Sequence, residues 1–325
     1  MFIRNEDATK QAAVDAGHPS IATRGDADAR RDAGQQGSVR RRFLALSIAF
    51  LVASCTAVKV GYNNADTLIT HSVDSYFDLD DEQAELVRDR VRELQRWHRR
   101  TQLAAYSELI HRAQMRVGGK VTTADVLGFQ HEINGLMATV GERAAPDIAQ
   151  LSARLNAGQI DHFAKKLADS NRKARRELVS TDGSDERRVK KAIERAEEWF
   201  GSLNREQVEL VRASIAARPD AGQWWMTERE RRQRDAVTLL RRTAAEKPDE
   251  ATAARWWRAY FAELAEPRDP ERRARVLQYR EQNAALIAQL INAATPVQRA
   301  TVAKKLRGYA DDFTTLATEG GKPSS

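Results

Sequence analysis

The sequence predicts an all-α protein, an extended or curved bundle of about eight to ten helices that follows a signal peptide. Ala, Arg, Glu, Gln and Leu, which favour helices, dominate the composition. Apolar side chains recur every three or four residues between turn-forming residues. No long run of β-branched residues alternates with polar ones, so we expect no sheet. With 42% apolar residues among 325, the chain can bury a sizeable core.

The first 38 residues are polar, rich in Ala, Asp, Arg and Gly, and show no helical or strand periodicity. This composition predicts disorder over residues 1–38. These residues also precede a signal peptide, which normally begins its chain. We therefore expect synthesis to start at Val39, read from a GTG codon, with residues 1–38 as a spurious extension.

Residues 39–54 have the pattern of a signal peptide. Arg40, Arg41 and Arg42 precede an apolar run over residues 43–52, and small residues follow it. The run is too short to span a bilayer. We expect cleavage before Cys55, which leaves residues 55–325 as a mature helical body in the periplasm.

The last residues of this segment resemble a lipobox, the motif that lipoprotein signal peptidase recognises. They are Leu51, Val52, Ala53, Ser54 and Cys55. The resemblance implies that Cys55 is acylated, with palmitate or similar chains, and that the lipid bilayer is a partner. At about 0.8 kcal/mol per buried methylene, three chains anchor a protein firmly. The alternative is an uncleaved signal anchor with an incidental cysteine.

Residue 56 is Thr and not Asp. In lipoproteins of enteric bacteria, Asp at this position retains the protein in the inner membrane. The resemblance therefore implies the outer membrane, with the mature body facing the periplasm.

Turn-forming residues divide the rest of the chain into helical segments. They lie at positions 118–119, 146, 182–183, 201, 219–222, 248, 267–270 and 295–296. The clearest helical pattern covers residues 81–115 and predicts one helix about 50 Å long, at about 1.5 Å per residue. Such a length favours an extended or curved shape.

A short motif recurs at predicted helix starts, in which a capping residue is followed three positions later by Gln. The pairs are Asp80 with Gln83, Asn156 with Gln159, Asn204 with Gln207 and Thr295 with Gln298. Thr122 with Asp125 is a looser version. Each predicts a capping box, which stabilises a helix by about 1 kcal/mol. The spacings between the boxes are unequal, so they do not indicate a solenoid repeat.

Two blocks of residues resemble known families. The block formed by residues 61–66, 76–79 and 97–99, with Tyr62, Asn63 and Trp97-His98-Arg99, is similar to the opening of a function-unassigned family of proteobacterial lipoproteins. This resemblance implies a lipoprotein with a helical fold and offers no activity. The Gln-containing boxes resemble the motif of the Spy and CpxP periplasmic chaperones, although capping alone explains them. A weaker likeness is to lipase-specific foldases.

The sequence offers no convincing catalytic or metal site. His98 lies on the apolar stripe of its helix, where a buried, hydrogen-bonded imidazole is the more common arrangement than a general base. His111, His131 and His162 have no ligand three or four residues away. We therefore expect no enzyme activity, cofactor or metal.

The charges of the mature chain are mixed along its helices. Without residues 1–54 the chain has 45 basic and 40 acidic residues. Both signs alternate, as over residues 228–232, which is typical of a solvated helix face. We therefore expect no nucleic-acid binding.

Aromatic residues supply the candidate protein-binding surface. Trp256 with Tyr260, and Trp257 with Phe261, form two lines about 100° apart on one predicted helix. Either this helix is wedged between several others, or part of the aromatic surface forms an open groove for a partner.

These observations predict a non-enzymatic, membrane-anchored protein that binds periplasmic or outer-membrane proteins as a chaperone-like or envelope-assembly factor. The alternative is a structural envelope lipoprotein that is bound to one fixed partner or to peptidoglycan.

Overall fold

The computed structural model describes residues 58–179 and 184–319 of the chain. These residues contain no strand, which confirms the predicted all-α class. A helical stretch over residues 58–63 comes first. Eleven helices follow it in the described part of the chain: α1 (Ala65–Phe77), α2 (Asp81–Thr101), α3 (Leu103–Val117), α4 (Thr123–Ser152), α5 (Ala157–Leu178), α6 (Ser184–Phe200), α7 (Arg205–Ala216), α8 (Ala221–Glu246), α9 (Glu250–Ala265), α10 (Pro270–Asn292) and α11 (Pro296–Glu319).

The helix count exceeds the predicted eight to ten, partly because the expected long helix over residues 81–115 is wrong. It breaks at Gln102, where φ is −111° and ψ is −37°, without a glycine or proline. The break separates α2 from α3, whose first residue Leu103 is 1% exposed. Burial of this side chain is a tertiary effect, which helix propensity does not register.

The sequence predicted a helix end at Pro146, and this prediction is wrong because Pro146 lies inside α4. A proline in a helix interior removes one backbone hydrogen bond. Its neighbours on the same helix, Ala145 and Ala149, are fully buried in a core. Packing on both turns therefore keeps the helix intact through the proline.

Buried apolar side chains of the described residues form two hydrophobic cores. The first core is formed by Ala145, Ala149, Leu155, Ile160, Val237, Leu240, Ala253, Ala254 and Trp257. The second core is formed by Val117, Val121, Val126, Phe200, Val211, Ala284, Ala288, Leu290, Ile291, Ala294 and Val302. Helix α4 belongs to both, and its contributions at Val126 and Ala145 are about 29 Å apart at about 1.5 Å per residue. Helix α4 therefore contributes to both cores.

The contact between α5 and α8 requires a glycine. A Cβ atom on Gly222, at the start of α8, would overlap the carbonyl oxygen of Leu178 at the end of α5. Since backbone atoms cannot move aside cheaply, the two helices approach this closely only without a side chain at position 222.

Residues 1–57 lie outside the described residues. They include the predicted disordered extension, the predicted signal peptide over residues 39–54, and Cys55. No helix in the part of the chain that the structure describes is long and apolar enough to cross a membrane.

Candidate functional site

The aromatic residues predicted to bind a partner lie largely in the interior. Trp257 is 5% exposed within the first core, and Tyr260 and Phe261 pack against that core. Trp256 is half-buried beneath the guanidinium of Arg242, 3.8 Å from its ring centroid. Helix α9 packs along α4, so the open groove is wrong for Trp257 and the wedged arrangement describes it.

Capping boxes occupy five helix starts of the described residues. In each, the capping side chain accepts a hydrogen bond from a backbone amide three residues later, and the side chain there accepts one from the backbone of the capping residue. They are Asp80 with Gln83, Thr122 with Asp125, Asn156 with Gln159, Asn204 with Gln207, and Thr295 with Gln298.

Two of these boxes meet in space through their glutamines, which form the first glutamine pair. Gln83 Nε2 donates to Gln159 Oε1 at 3.2 Å, and Gln159 Nε2 donates to Gln83 Oε1 at 2.6 Å. Each amide also donates to a carbonyl two residues before the other capping residue, at Arg154 and Asp78. Both side chains are buried, and all of their donors and oxygens are hydrogen-bonded.

The second glutamine pair has the same reciprocal side-chain hydrogen bonds. Gln207 Nε2 donates to Gln298 Oε1 at 3.1 Å, and Gln298 Nε2 donates to Gln207 Oε1 at 2.9 Å and to the carbonyl of Ser202 at 2.8 Å. Gln207 is 0% exposed. One pair joins the starts of α2 and α5, and the other joins the starts of α7 and α11. The four boxes that contain glutamine therefore join distant helix starts in pairs.

A different cluster of polar groups holds the N-terminal segment, residues 58–64, against α2. The hydroxyl of Tyr62 lies 2.9 Å from Nδ1 of His98. The side-chain amide of Gln95 donates to the carbonyl of Tyr62, and Arg99 Nη2 donates to Asn63 Oδ1 at 2.7 Å. Two blocks that the sequence analysis singled out, residues 61–66 and 97–99, therefore bind each other.

Two ion pairs extend this contact along the segment and into α1. Arg92 Nε lies 3.2 Å from Asp66 Oδ2. Lys59 Nζ lies 3.6 Å from Oδ1 of Asp312, a residue of α11 that is 2% exposed. The segment is therefore held against α2 and, through Lys59, against α11.

Shifted pKa values gather at this contact. Burial raises the pKa of Tyr62 to about 12, although the nearby Arg99 opposes the rise. Burial also lowers the pKa of His98 and raises the pKa of Tyr106, whose ring lies 5.5 Å from the His98 ring. Burial raises the pKa of Asp312, against the effect of Lys59. Groups of this kind often mark functional sites.

Two open surface grooves of about 500 Å³ each lie elsewhere. The first lies between α8, α9 and α10, where Arg231 pairs with Glu228 and Arg272 pairs with Glu263. The second lies along α3 and is lined by Glu108, His111, Arg112, Met115, Arg116 and Gly119. In the described residues, no group of three or more His, Cys, Asp or Glu is placed to hold a metal ion.

Sequence reasoning missed the contact between the two polar blocks and the pairing of the glutamines. It placed His98 on a buried stripe with a hydrogen-bonding neighbour, but it could not identify that neighbour as Tyr62, 36 residues earlier. The one available signal was the presence of Tyr62 and Trp97-His98-Arg99 in the same resembled family block.

The fold and this contact define an all-helical protein whose N-terminal segment is fastened to its body by polar groups. The chain belongs to the DUF6279 family, a family of unknown function, which matches residues 75–251. The matched region contains His98 and the first glutamine pair, and it begins after Tyr62. No curated protein and no solved structure matches the chain.

Proposed function

We propose that this protein is an outer-membrane lipoprotein, anchored through acylated Cys55, that faces the periplasm and binds other proteins. It acts as a chaperone-like or envelope-assembly factor, without an enzymatic reaction. The observation that carries this proposal is the fastening of residues 58–64 to α2 and α11, directly after the lipobox-like segment.

The position of this contact suits a short membrane anchor. Val58 follows Cys55 by three residues, a length that spans at most about 11 Å when extended. Tyr62 and Lys59 then bind His98 and Asp312. An acyl group on Cys55 therefore keeps this end of the body close to the membrane surface.

The opposite end of α3 and α11 offers the surface for a protein partner. Met115 and Val297 are 76% and 77% exposed, the largest exposures among the large apolar side chains of the described residues. Arg299 bonds the carbonyls of Val117 and Gly119, which joins the start of α11 to the end of α3. Exposed apolar side chains beside arginines favour a protein partner with apolar and acidic side chains.

The polar groups with shifted pKa values support a non-enzymatic role. Tyr62 and His98 bind each other, and Asp312 faces Lys59, so these groups serve to hold the chain's own N-terminal segment.

Photocrosslinking in the native envelope tests the proposed binding. A photoreactive residue at Met115 is expected to capture envelope proteins, and the same residue at Leu277, which is also exposed but lies on α10, is the matched control. Many unrelated captured proteins support the chaperone-like role, and one stoichiometric partner supports the structural alternative. Equal capture at the two positions, or none at Met115, contradicts a binding surface at this end.

A further inference from the structure

The exposed side of residues 58–77, which comprise the N-terminal segment and α1, contains no Asp, Glu, Lys or Arg, although these make up 30% of the chain. Backbone hydrogen bonds from Asn64 N to the Val60 carbonyl and from Leu68 N to the Asn64 carbonyl continue the helical turns from the segment into α1. Val60, Asn64 and Leu68 therefore lie in successive turns on one side, which we call the N-terminal face. The exposed residues of the whole stretch are Val60, Asn63, Asn64, Thr67, Leu68, Ile69, His71 and Ser75.

The charged side chains of this stretch are occupied elsewhere. Lys59 pairs with Asp312 on α11, and Asp66 pairs with Arg92 on α2. Asp74 accepts a hydrogen bond from a backbone amide just beyond the end of its own helix. A helix face that meets only water normally carries many charges, whereas a charge held against lipid loses part of its hydration at a cost in free energy. The distribution of charge therefore favours a covered N-terminal face.

Apolar side chains and a basic border give this face its chemical character. Val60 and Leu68 are 55% and 44% exposed. Arg96 and Arg100 are exposed in the last turns of α2, next to the residues of α2 that hold the N-terminal segment. Neither arginine forms an ion pair with a carboxylate of the described residues. Arginines beside an exposed apolar surface attract the anionic headgroups of a membrane.

The course of the chain identifies what covers the face. Cys55 precedes Val60 by five residues, which reach at most about 18 Å when fully extended. An acyl group on Cys55 therefore brings the bilayer within this distance of the face. Lipid is then the nearest large surface available to the exposed Val60 and Leu68.

We propose that the N-terminal face lies on the lipid surface of the membrane, with Val60 and Leu68 against the headgroup region and Arg96 and Arg100 beside anionic headgroups. The proposal rests on the anchoring through Cys55 proposed above. An acyl anchor alone fixes only how far the N-terminus lies from the membrane. Contact over several helical turns also fixes the orientation of the body, and so decides which of its sides is turned to periplasmic proteins.

Fluorescence quenching by lipid tests this contact in the mature, acylated chain, reconstituted into vesicles of phosphatidylethanolamine with a minor share of phosphatidylglycerol. Acylation turns the sulfur of Cys55, the only native cysteine, into a thioether, so Leu68→Cys supplies the one thiol for a fluorescent dye. Ile69→Cys is the matched control, because Ile69 is also 44% exposed but points about 100° away. We expect nitroxide-bearing headgroups to quench the dye several-fold more strongly in Leu68→Cys than in Ile69→Cys.

A second substitution in the chain labelled at Leu68→Cys tests the face itself. Val60→Glu is expected to lower the quenching several-fold, because a carboxylate resists transfer from water to the lipid surface. Ile69→Glu adds the same charge on the neighbouring side and is expected to leave the quenching unchanged. Equal quenching in Leu68→Cys and Ile69→Cys, weak or strong, overturns the membrane contact, and so does quenching that ignores Val60→Glu. A chain that does not float with the vesicles lacks the anchor and overturns both proposals.

Discussion

Trp257→Ala is expected to lower the free energy of unfolding by about 3 to 5 kcal/mol, because it empties a large part of the first core. Among the described residues the indole N–H of Trp257 has no hydrogen-bond partner, so the side chain contributes through packing. The neighbouring Trp256 is the matched control. Trp256→Ala removes a half-buried ring and its cation–π contact with Arg242, at a cost of about 1 kcal/mol.

Urea denaturation followed by circular dichroism measures both costs. Because the residues are adjacent and identical, differences in helix propensity cancel between the two variants. Equal costs contradict the burial of Trp257 in the core. A large loss of partner capture in Trp256→Ala alone would indicate that Trp256 binds the partner.

Gln207→Ala is expected to cost about 3 kcal/mol, since it leaves the buried amide of Gln298 without its partner and removes one half of a capping box. Loss of Gln298 disrupts the same hydrogen bonds. The double variant Gln207→Ala, Gln298→Ala is therefore expected to cost clearly less than the sum of the single variants, by about 1 to 3 kcal/mol.

A double-mutant cycle measured by chemical denaturation gives this coupling energy. The control is Asp125→Ala, which removes a box residue at an exposed helix start with no glutamine partner, together with its ion pair to Arg116, and costs about 1 kcal/mol. Strict additivity of the Gln207 and Gln298 costs would mean that the two boxes act only as independent caps.

The sequence predicts the hydrogen bonds within each capping box but not those between the two boxes. The hydrogen bonds within a box connect residues three positions apart, so the order of Asn204 and Gln207 is enough to predict them. The bonds between Gln207 and Gln298 span 91 residues and depend on how α7 and α11 pack. The capping boxes are unequally spaced along the chain, which argued against a sequence repeat. Their glutamines nevertheless form two similar pairs in the folded protein.

The sequence predicted the all-α fold class correctly, but it predicted the ends of individual helices less well. Gly and Pro marked many of the ends, because their backbone preferences act locally. The break at Gln102 lies beside the buried Leu103, and the helix continues through Pro146 beside Ala145 and Ala149 of the first core. Local propensity cannot register that burial.

The aromatic line on α9 shows the same limit. Spacing placed Trp257 and Phe261 on one face of a helix and left open whether that face was covered. Only the packing of α9 along α4 decides this. The contact between residues 61–66 and 97–99 could not be predicted for the same reason, although the sequence analysis had singled out both blocks.

The most direct test of the account is the mass of the N-terminal peptide of the mature protein, purified from the outer membrane of its native host. We predict that the peptide begins at Cys55 and carries three fatty acyl chains. We also predict that Cys55→Ser abolishes acylation and leaves the leader uncleaved. An unmodified Cys55, or peptides from residues 5–30 in the mature protein, would contradict the lipid anchor and the orientation built on it.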